Sequence, residues 1–187
     1  MNGVEFEDIV RSMVSERLFI HSRNVAALSM ELAEIYGCDK QYAGIAGILH
    51  DILKETDSQI LLQTIFDSDI ILSKVEMNEP NLWHSIAASV YIKKEFGVTD
   101  ESIINAVRYH TSGRKNMSML EKIIYIADCT SVERTYNGVD DLRKLAKKDI
   151  DSAIKKAVAF TVSDLVLKGH AICNDTIDAY NEFVMGK

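Results

Sequence analysis

Ile45-Ala46-Gly47-Ile48-Leu49-His50-Asp51 is an apolar run that ends in an imidazole beside a carboxylate. The run reads as the end of a core helix spanning residues 40–53. A buried carboxylate is costly unless it is paired or coordinates a cation, and a neutral imidazole is the commonest protein ligand for such a cation. Taken alone, His50-Asp51 reads equally as a helix-end polar pair bonded to backbone. Gly44 and Gly47 lie in the same helix, where each costs about 1 kcal/mol relative to alanine. Close packing of a second helix and close approach of a ligand both remain open as the compensation.

Working outward, the same 3.6-residue periodicity recurs. Val25, Leu28, Leu32 and Ile35 form one apolar stripe, and Ile150, Ile154, Ala157, Thr161 and Leu165 form another. Gly37 and Gly97 follow periodic runs as C-terminal stops, and Ser118-Met119-Leu120-Glu121 reads as a capping box. The pattern predicts an all-α protein with helices at 4–15, 17–36, 40–53, 57–66, 83–96, 100–110, 118–133, 139–147, 150–168 and 174–185. Ile70-Ile71-Leu72-Ser73-Lys74-Val75 has strand character but no partner strand, so helix or loop is expected there.

The chain of 187 residues has one proline, Pro80, and no Pro/Gly/Ser-rich linker, which predicts a single domain. Apolar residues make up 47% and charged residues 26%, and no run approaches the roughly 18 apolar residues of a membrane span. The first residues lack the pattern of a secretory signal, so a cytoplasmic location is expected. Cys38, Cys129 and Cys173 are far apart and odd in number, which argues against a disulfide framework or a zinc–thiolate site. A net charge of −7 opposes non-specific attraction to nucleic acid. A small phosphorylated ligand remains open, because Arg108, Arg114, Lys115, Lys122 and Arg134 concentrate in one stretch.

Several polar residues lie on apolar faces. His21 begins the stripe of Val25 and Leu28, where a core histidine satisfied by a backbone carbonyl is the alternative. His84 opens a helix after Pro80, and its spacing to Ala88 suggests an inward face. His110 ends a helix containing Ile103 and Val107, and the turn that follows, Thr111-Ser112-Gly113-Arg114, could hold a phosphate; stabilisation by the helix dipole is the alternative. Asp128 falls on the face of Leu120, Ile124 and Ala127, where its charge needs a cation or an arginine such as Arg134. Four of the five histidines and two carboxylates thus occupy inward or pocket-edge positions of five helices. Imidazole and carboxylate without thiolate suit Fe, Mn, Zn, Co or Ni better than Mg or Ca.

The order His21, His50-Asp51, His84, His110, Asp128 resembles the signature of the HD-domain metal-dependent phosphohydrolases. Local strings look closer still to one branch, the YqeK family of symmetrical dinucleoside-tetraphosphate hydrolases. They are His21-Ser22, Gly47-Ile48-Leu49-His50-Asp51, Arg108-Tyr109-His110-Thr111-Ser112-Gly113-Arg114, and Leu120-Glu121-Lys122-Ile123-Ile124-Tyr125-Ile126-Ala127-Asp128. The resemblance runs from about residue 17 to the C-terminus. It implies one HD-type helical domain over 1–187, with a metal-binding core at 17–134 and C-terminal helices at 139–187 completing a nucleotide pocket.

By that resemblance His21, His50, Asp51 and Asp128 hold the catalytic metal, iron first, with Mn, Co, Ni or Zn as alternatives. Asp51 and Lys54 take catalytic roles, Asp51 orienting the attacking water. Lys54, His84, His110, Thr111 and Arg134 face the substrate phosphates, and Ile172, Cys173 and Thr176 approach the nucleoside. In related binuclear enzymes the residues matching His84 and His110 hold a second metal, which stays open here. The implied reaction cleaves diadenosine tetraphosphate and related dinucleotides symmetrically to two nucleoside diphosphates. The alternatives are an HD-type phosphohydrolase acting on mononucleotides or a guanosine signal, and a non-catalytic nucleotide sensor. The partner is then a small-molecule nucleotide, with no nucleic acid and no membrane, and a homodimer is an open alternative. The chain departs from the family at Ile172-Cys173-Asn174-Asp175-Thr176, where an Ile-His-Pro-x-Thr string is expected, and this puts base preference in doubt.

Overall fold

Residues 3–186 are described by a computed structural model. Among them eleven α-helices and no strand occur: α1 (Gly3–Met13), α2 (Glu16–Tyr36), α3 (Lys40–Leu49), α4 (Ser58–Phe66), α5 (Lys74–Asn78), α6 (Trp83–Glu95), α7 (Glu101–Tyr109), α8 (Met119–Thr130), α9 (Val139–Ala146), α10 (Ile150–Lys168) and α11 (Asn174–Met185). No helix among the described residues is long and apolar enough to cross a membrane.

Helix starts follow local chemistry. Ser15, Asp39, Asp57, Asp100 and Asp149 accept first-turn amides at the starts of α2, α3, α4, α7 and α10. Full capping boxes open α5 (Ser73 with Glu76) and α8 (Ser118 with Glu121). Gly37 closes α2 in the left-handed region at φ 66°. Ile70–Leu72 is not a strand: the segment is irregular until Ser73 caps the short α5.

The core is built around α2, α3, α7 and α8. Ser22, Ala26, Ser29 and Ala33, all buried, make a small-residue stripe along α2 against which α3 packs. A Cβ added to Gly47 would lie 2.6 Å from the Cα of Ala26, whereas one added to Gly44 would meet only the tip of Met30. Gly47 therefore serves close helix packing. Ile35, expected on the inward stripe of α2, is 45% exposed because the buried face continues through Ser29 and Ala33 to Tyr36, which packs on the core and turns Ile35 outward.

Two predicted helix ends move, and both moves build the site. The helix expected to reach residue 53 stops at Leu49: the His50 ring takes the Gly47 carbonyl, and Ile52 and Lys54 donate to carbonyls three residues back. The helix expected to reach 133 stops at Thr130, where Ser131 is extended (φ −51°, ψ 153°) and turns the chain back toward Asp128.

Candidate metal centre

The six residues of the centre arrive from five segments. α2 carries His21, the turn after α3 carries His50 and Asp51, and α6 presents His84 one residue inside its start. His110 is the residue that closes α7, and Asp128 lies in the last turn of α8. Their donor atoms form three overlapping groups, His21–His50–Asp51, His50–His110–Asp128 and Asp51–His84–His110, with the atoms of each group within 4.8 Å of one another.

Asp51 is the hub. Its Oδ2 lies 3.8 Å from His21 Nε2 and 3.5 Å from His50 Nε2, while Oδ1 lies 3.2 Å from both His84 Nε2 and His110 Nε2. Burial pushes the Asp51 carboxyl up, but the neighbouring His50, His110 and His84 outweigh it and hold the group well below the usual carboxylate range. Asp128 behaves alike: burial raises it, and the contact from His21 Nε2 at 3.1 Å and the His50 charge lower it further. Both are carboxylates at neutral pH.

The hydrogen bonds around the rings fix where their lone pairs point. His50 Nδ1 and His110 Nδ1 donate to the carbonyls of Gly47 at 2.7 Å and Val107 at 2.8 Å. His21 Nδ1 donates to Glu133, and Lys54 Nζ donates to His84 Nε2 at 2.9 Å. In the neutral rings the Nε2 atoms of His21, His50 and His110 are then acceptors aimed at the centre, whereas that of His84 already accepts from Lys54. Yet His50 and His21 Nε2 face each other at 3.2 Å, and the buried Asp51 Oδ1 has no hydrogen-bond donor, Lys54 Nζ lying 3.5 Å away. Acceptors facing acceptors around an orphaned carboxylate oxygen fit a divalent cation. Burial pulls His84 down to about 4, so it stays neutral and able to ligate.

Supporting residues not singled out from sequence complete the centre. Glu133 accepts from His21 Nδ1, Asn24 Nδ2 and the Ser131 hydroxyl; despite the upward pull of burial, these bonds bring it down to about 2. It is the carboxylate of a carboxylate–histidine pair. Arg143 on α9 donates to the carbonyls of Thr130, Ser131, Val132 and Arg134, pinning the loop that carries Glu133 and Arg134. The open mouth, a cavity of about 310 Å³, is lined by Arg17, His21, Asp51, Lys54, Glu133 and Arg134. Arg17 stands four residues before His21 on the same helix face, which is the signal that could have revealed it. Glu133 and Arg143 have no such signal.

Lys54, Thr111 and Arg134 lie at the edge of the centre. Lys54 Nζ is 3.5 Å from Asp51, Thr111 Oγ1 is 3.0 Å from His110 Nε2, and Arg134 pairs with Asp128 at 2.5 Å. The cations that concentrate in one stretch of sequence do not converge in space. Arg108 pairs with Glu76, Arg114 with the buried Glu121 and Lys122 with Asp151, leaving Arg134 alone among them at the mouth. The Thr111–Arg114 turn is likewise occupied by its own bonds: the Ser112 hydroxyl donates to the Gly113 carbonyl, and Thr176 Oγ1 donates to the Ser112 carbonyl at 2.8 Å. Cys173 and Thr176 are buried and 3.1 Å apart, and Ile172 beside them is half-buried. They tie the start of α11 to that turn and do not line the mouth.

An HD-domain family model matches residues 18–133, and the chain belongs to the HD-domain family. Within it, the chain is 37% identical over its whole length to the whole of a Bacillus subtilis protein called bis(5'-nucleosyl)-tetraphosphatase, symmetrical. A Staphylococcus aureus protein of the same name is 33% identical, with 98% of this chain and 95% of that protein covered. A crystal structure of a predicted HD superfamily hydrolase involved in NAD metabolism from Clostridium acetobutylicum superposes with a TM-score of 0.94. It is 34% identical and is covered over 97% of its length by 98% of this chain.

Proposed function

We propose that this chain hydrolyses dinucleoside tetraphosphates at the central linkage, releasing two nucleoside diphosphates. Membership of the HD family makes it a metal-dependent phosphohydrolase, and its full-length relatives carry the name of the symmetrical tetraphosphatase. The observation that carries the reading is Asp51, with one carboxylate oxygen toward His21 and His50 and the other toward His84 and His110.

In this reading His21, His50, Asp51 and Asp128 hold the cation, which is iron, and His84 with His110 either take a second cation or donate to the phosphates. When bound, a divalent cation supplies Lewis acidity at the phosphoryl group and acidifies water near neutral pH. The chain's own residues do the rest. Lys54, Arg134 and the newly found Arg17 surround the mouth and offset the charge that builds on the phosphoryl oxygens, the main task in phosphoryl transfer. Thr111 presents a hydroxyl to the same space, and the Asp51 carboxylate orients the attacking water. We place the enzyme in the cytoplasm, where nucleotides and reduced thiols such as its three free cysteines occur.

The test is metal analysis of anaerobically purified protein, combined with product analysis on diadenosine tetraphosphate for wild type and Asp51→Ala. Near-stoichiometric iron and ADP as sole product from wild type, both lost in the variant, are expected. Equal ADP release by both would remove the assignment, and a preference for monoesters would redirect it to a mononucleotide phosphohydrolase.

A further inference from the structure

A second cavity, also about 310 Å³, opens on the far side of Arg134 and Asp128, between the end of α8 and the middle of α10. That volume falls at the low end of small-molecule sites. Its walls are aromatic and aliphatic. The Tyr136 and Phe160 rings stack with centroids 5.4 Å apart and planes 17° apart, and Ala157 lies beside them. Phe160 is 55% exposed and follows the buried Ala157 and Val158 on α10. The Tyr136 hydroxyl is already spent: it donates to the Cys129 carbonyl at 2.8 Å, which locks the ring and leaves its face as the feature on offer. Asn137 and Lys156 supply polar groups at the rim.

Continuity with the metal centre identifies the occupant. Arg134 lines both this cavity and the mouth, and Asp128 borders it from the metal side. A phosphate chain that leaves the mouth over Arg134 reaches the rim of this cavity, and what terminates such a chain is a nucleoside. From this we propose that Tyr136 and Phe160 form a stacking platform for one base of the dinucleoside tetraphosphate. The proposal rests on the hydrolase reading above for its substrate class. A π-face binds any base, so the platform confers affinity and little base selectivity.

The test separates binding from turnover. Binding of a dinucleoside tetraphosphate with a non-hydrolysable central methylene bridge is measured by calorimetry in metal-loaded wild type, Phe160→Ala and Tyr136→Leu, with inorganic tripolyphosphate as a probe lacking a base. Phe160→Ala weakens the analogue about tenfold, within the range of an aromatic platform, and leaves tripolyphosphate within twofold. Tyr136→Leu gives the same pattern and stands in if either variant is poorly folded. Unchanged binding of the analogue, or equal weakening of both probes, overturns the proposal. A wild-type protein that binds the analogue through Phe160 yet releases no ADP from diadenosine tetraphosphate refutes the hydrolase reading and leaves the platform standing.

Discussion

Replacing Gly47 by alanine puts a methyl group 2.6 Å from the Cα of Ala26 and 3.0 Å from its nitrogen, both backbone atoms that no rotamer change can move. Ordinary contact begins at 3.4 Å, so α2 and α3 must separate locally by about 0.8 Å. Such overpacking costs up to about 3 kcal/mol, and the better helix propensity of alanine returns about 1. The net of about 2 kcal/mol corresponds to a melting temperature lower by about 4–8 °C for a chain of this size. The larger effect falls on the centre. His21 lies on α2 and His50 three residues past Gly47, with their Nε2 atoms 3.2 Å apart. Ligand distances tolerate about 0.2 Å, so a 0.8 Å separation weakens metal binding by about 10–100-fold, the loss typical of a disturbed ligating histidine. Gly44→Ala is the control, because its Cβ meets only the flexible Met30 side chain, the sulfur at 3.1 Å and Cγ at 3.3 Å. It should melt at or above the wild-type temperature and bind metal normally. Thermal melts and chelator-competition titrations of both variants decide the matter. A Gly47→Ala protein that melts and binds metal like wild type refutes the view that this glycine sets the spacing of His21 and His50.

Glu133→Gln keeps shape but weakens the hold on His21 Nδ1, and metal affinity should fall about 10–100-fold with little change in melting of the chelated protein; equal affinity would show that His21 needs no such orientation. Arg143→Lys cannot span the four carbonyls of the 130–134 loop. Proteolysis near residue 133 should accelerate while the remaining helices stay protected, and an unchanged cleavage pattern counts against the pinning role. In chelated protein, His84 is held down to about 4 by burial against an ordinary 6.5. The unfolded chain takes that proton near 6.5 and the folded chain resists it until about 4, so stability falls as pH drops through this window. Urea midpoints at pH 7.5 and 5 should fall less in His84→Gln than in wild type, and parallel falls would refute the assignment.

Most helices were legible in the sequence because capping residues and apolar periods are local signals. The Ser118–Glu121 box announces its helix within four residues, and the structure begins α8 at Met119 directly after that cap. The ends at Leu49 and Thr130 were not legible. In both places an apolar period continues while the backbone leaves the helix, drawn off by long-range needs: the His50 ring competing for a carbonyl, and Arg143, twelve residues past Ser131, collecting that loop's carbonyls. The ligand set showed itself as polar residues on apolar faces, since a buried imidazole or carboxylate violates the local pattern wherever it occurs. Glu133 and Arg143 violate nothing locally, so only their tertiary partners reveal them. The cationic run from Arg108 to Lys122 shows the converse error, because proximity along the chain said nothing of Glu76, Glu121 and Asp151, which neutralise it.

A centre assembled from five segments exists only in the folded chain, and this binds its chemistry to its stability. The fold buries the facing His21 and His50 acceptors at 3.2 Å and an Asp51 oxygen with no hydrogen-bond donor, each a desolvation cost of about 1–3 kcal/mol. A cation that binds this arrangement and not the unfolded chain removes that cost and adds about 2.7 kcal/mol at a hundredfold excess over its dissociation constant. The strain is therefore directed: the same unfavourable packing of lone pairs that weakens the empty core is what attracts the ion. The His–Asp cluster lies beside the Arg17–Lys54–Arg134 mouth, so the proposed ion site and the proposed phosphate contacts share one set of helices. Close packing of α2 on α3 through Gly47 is thus as much a part of the site as the histidines it brings together.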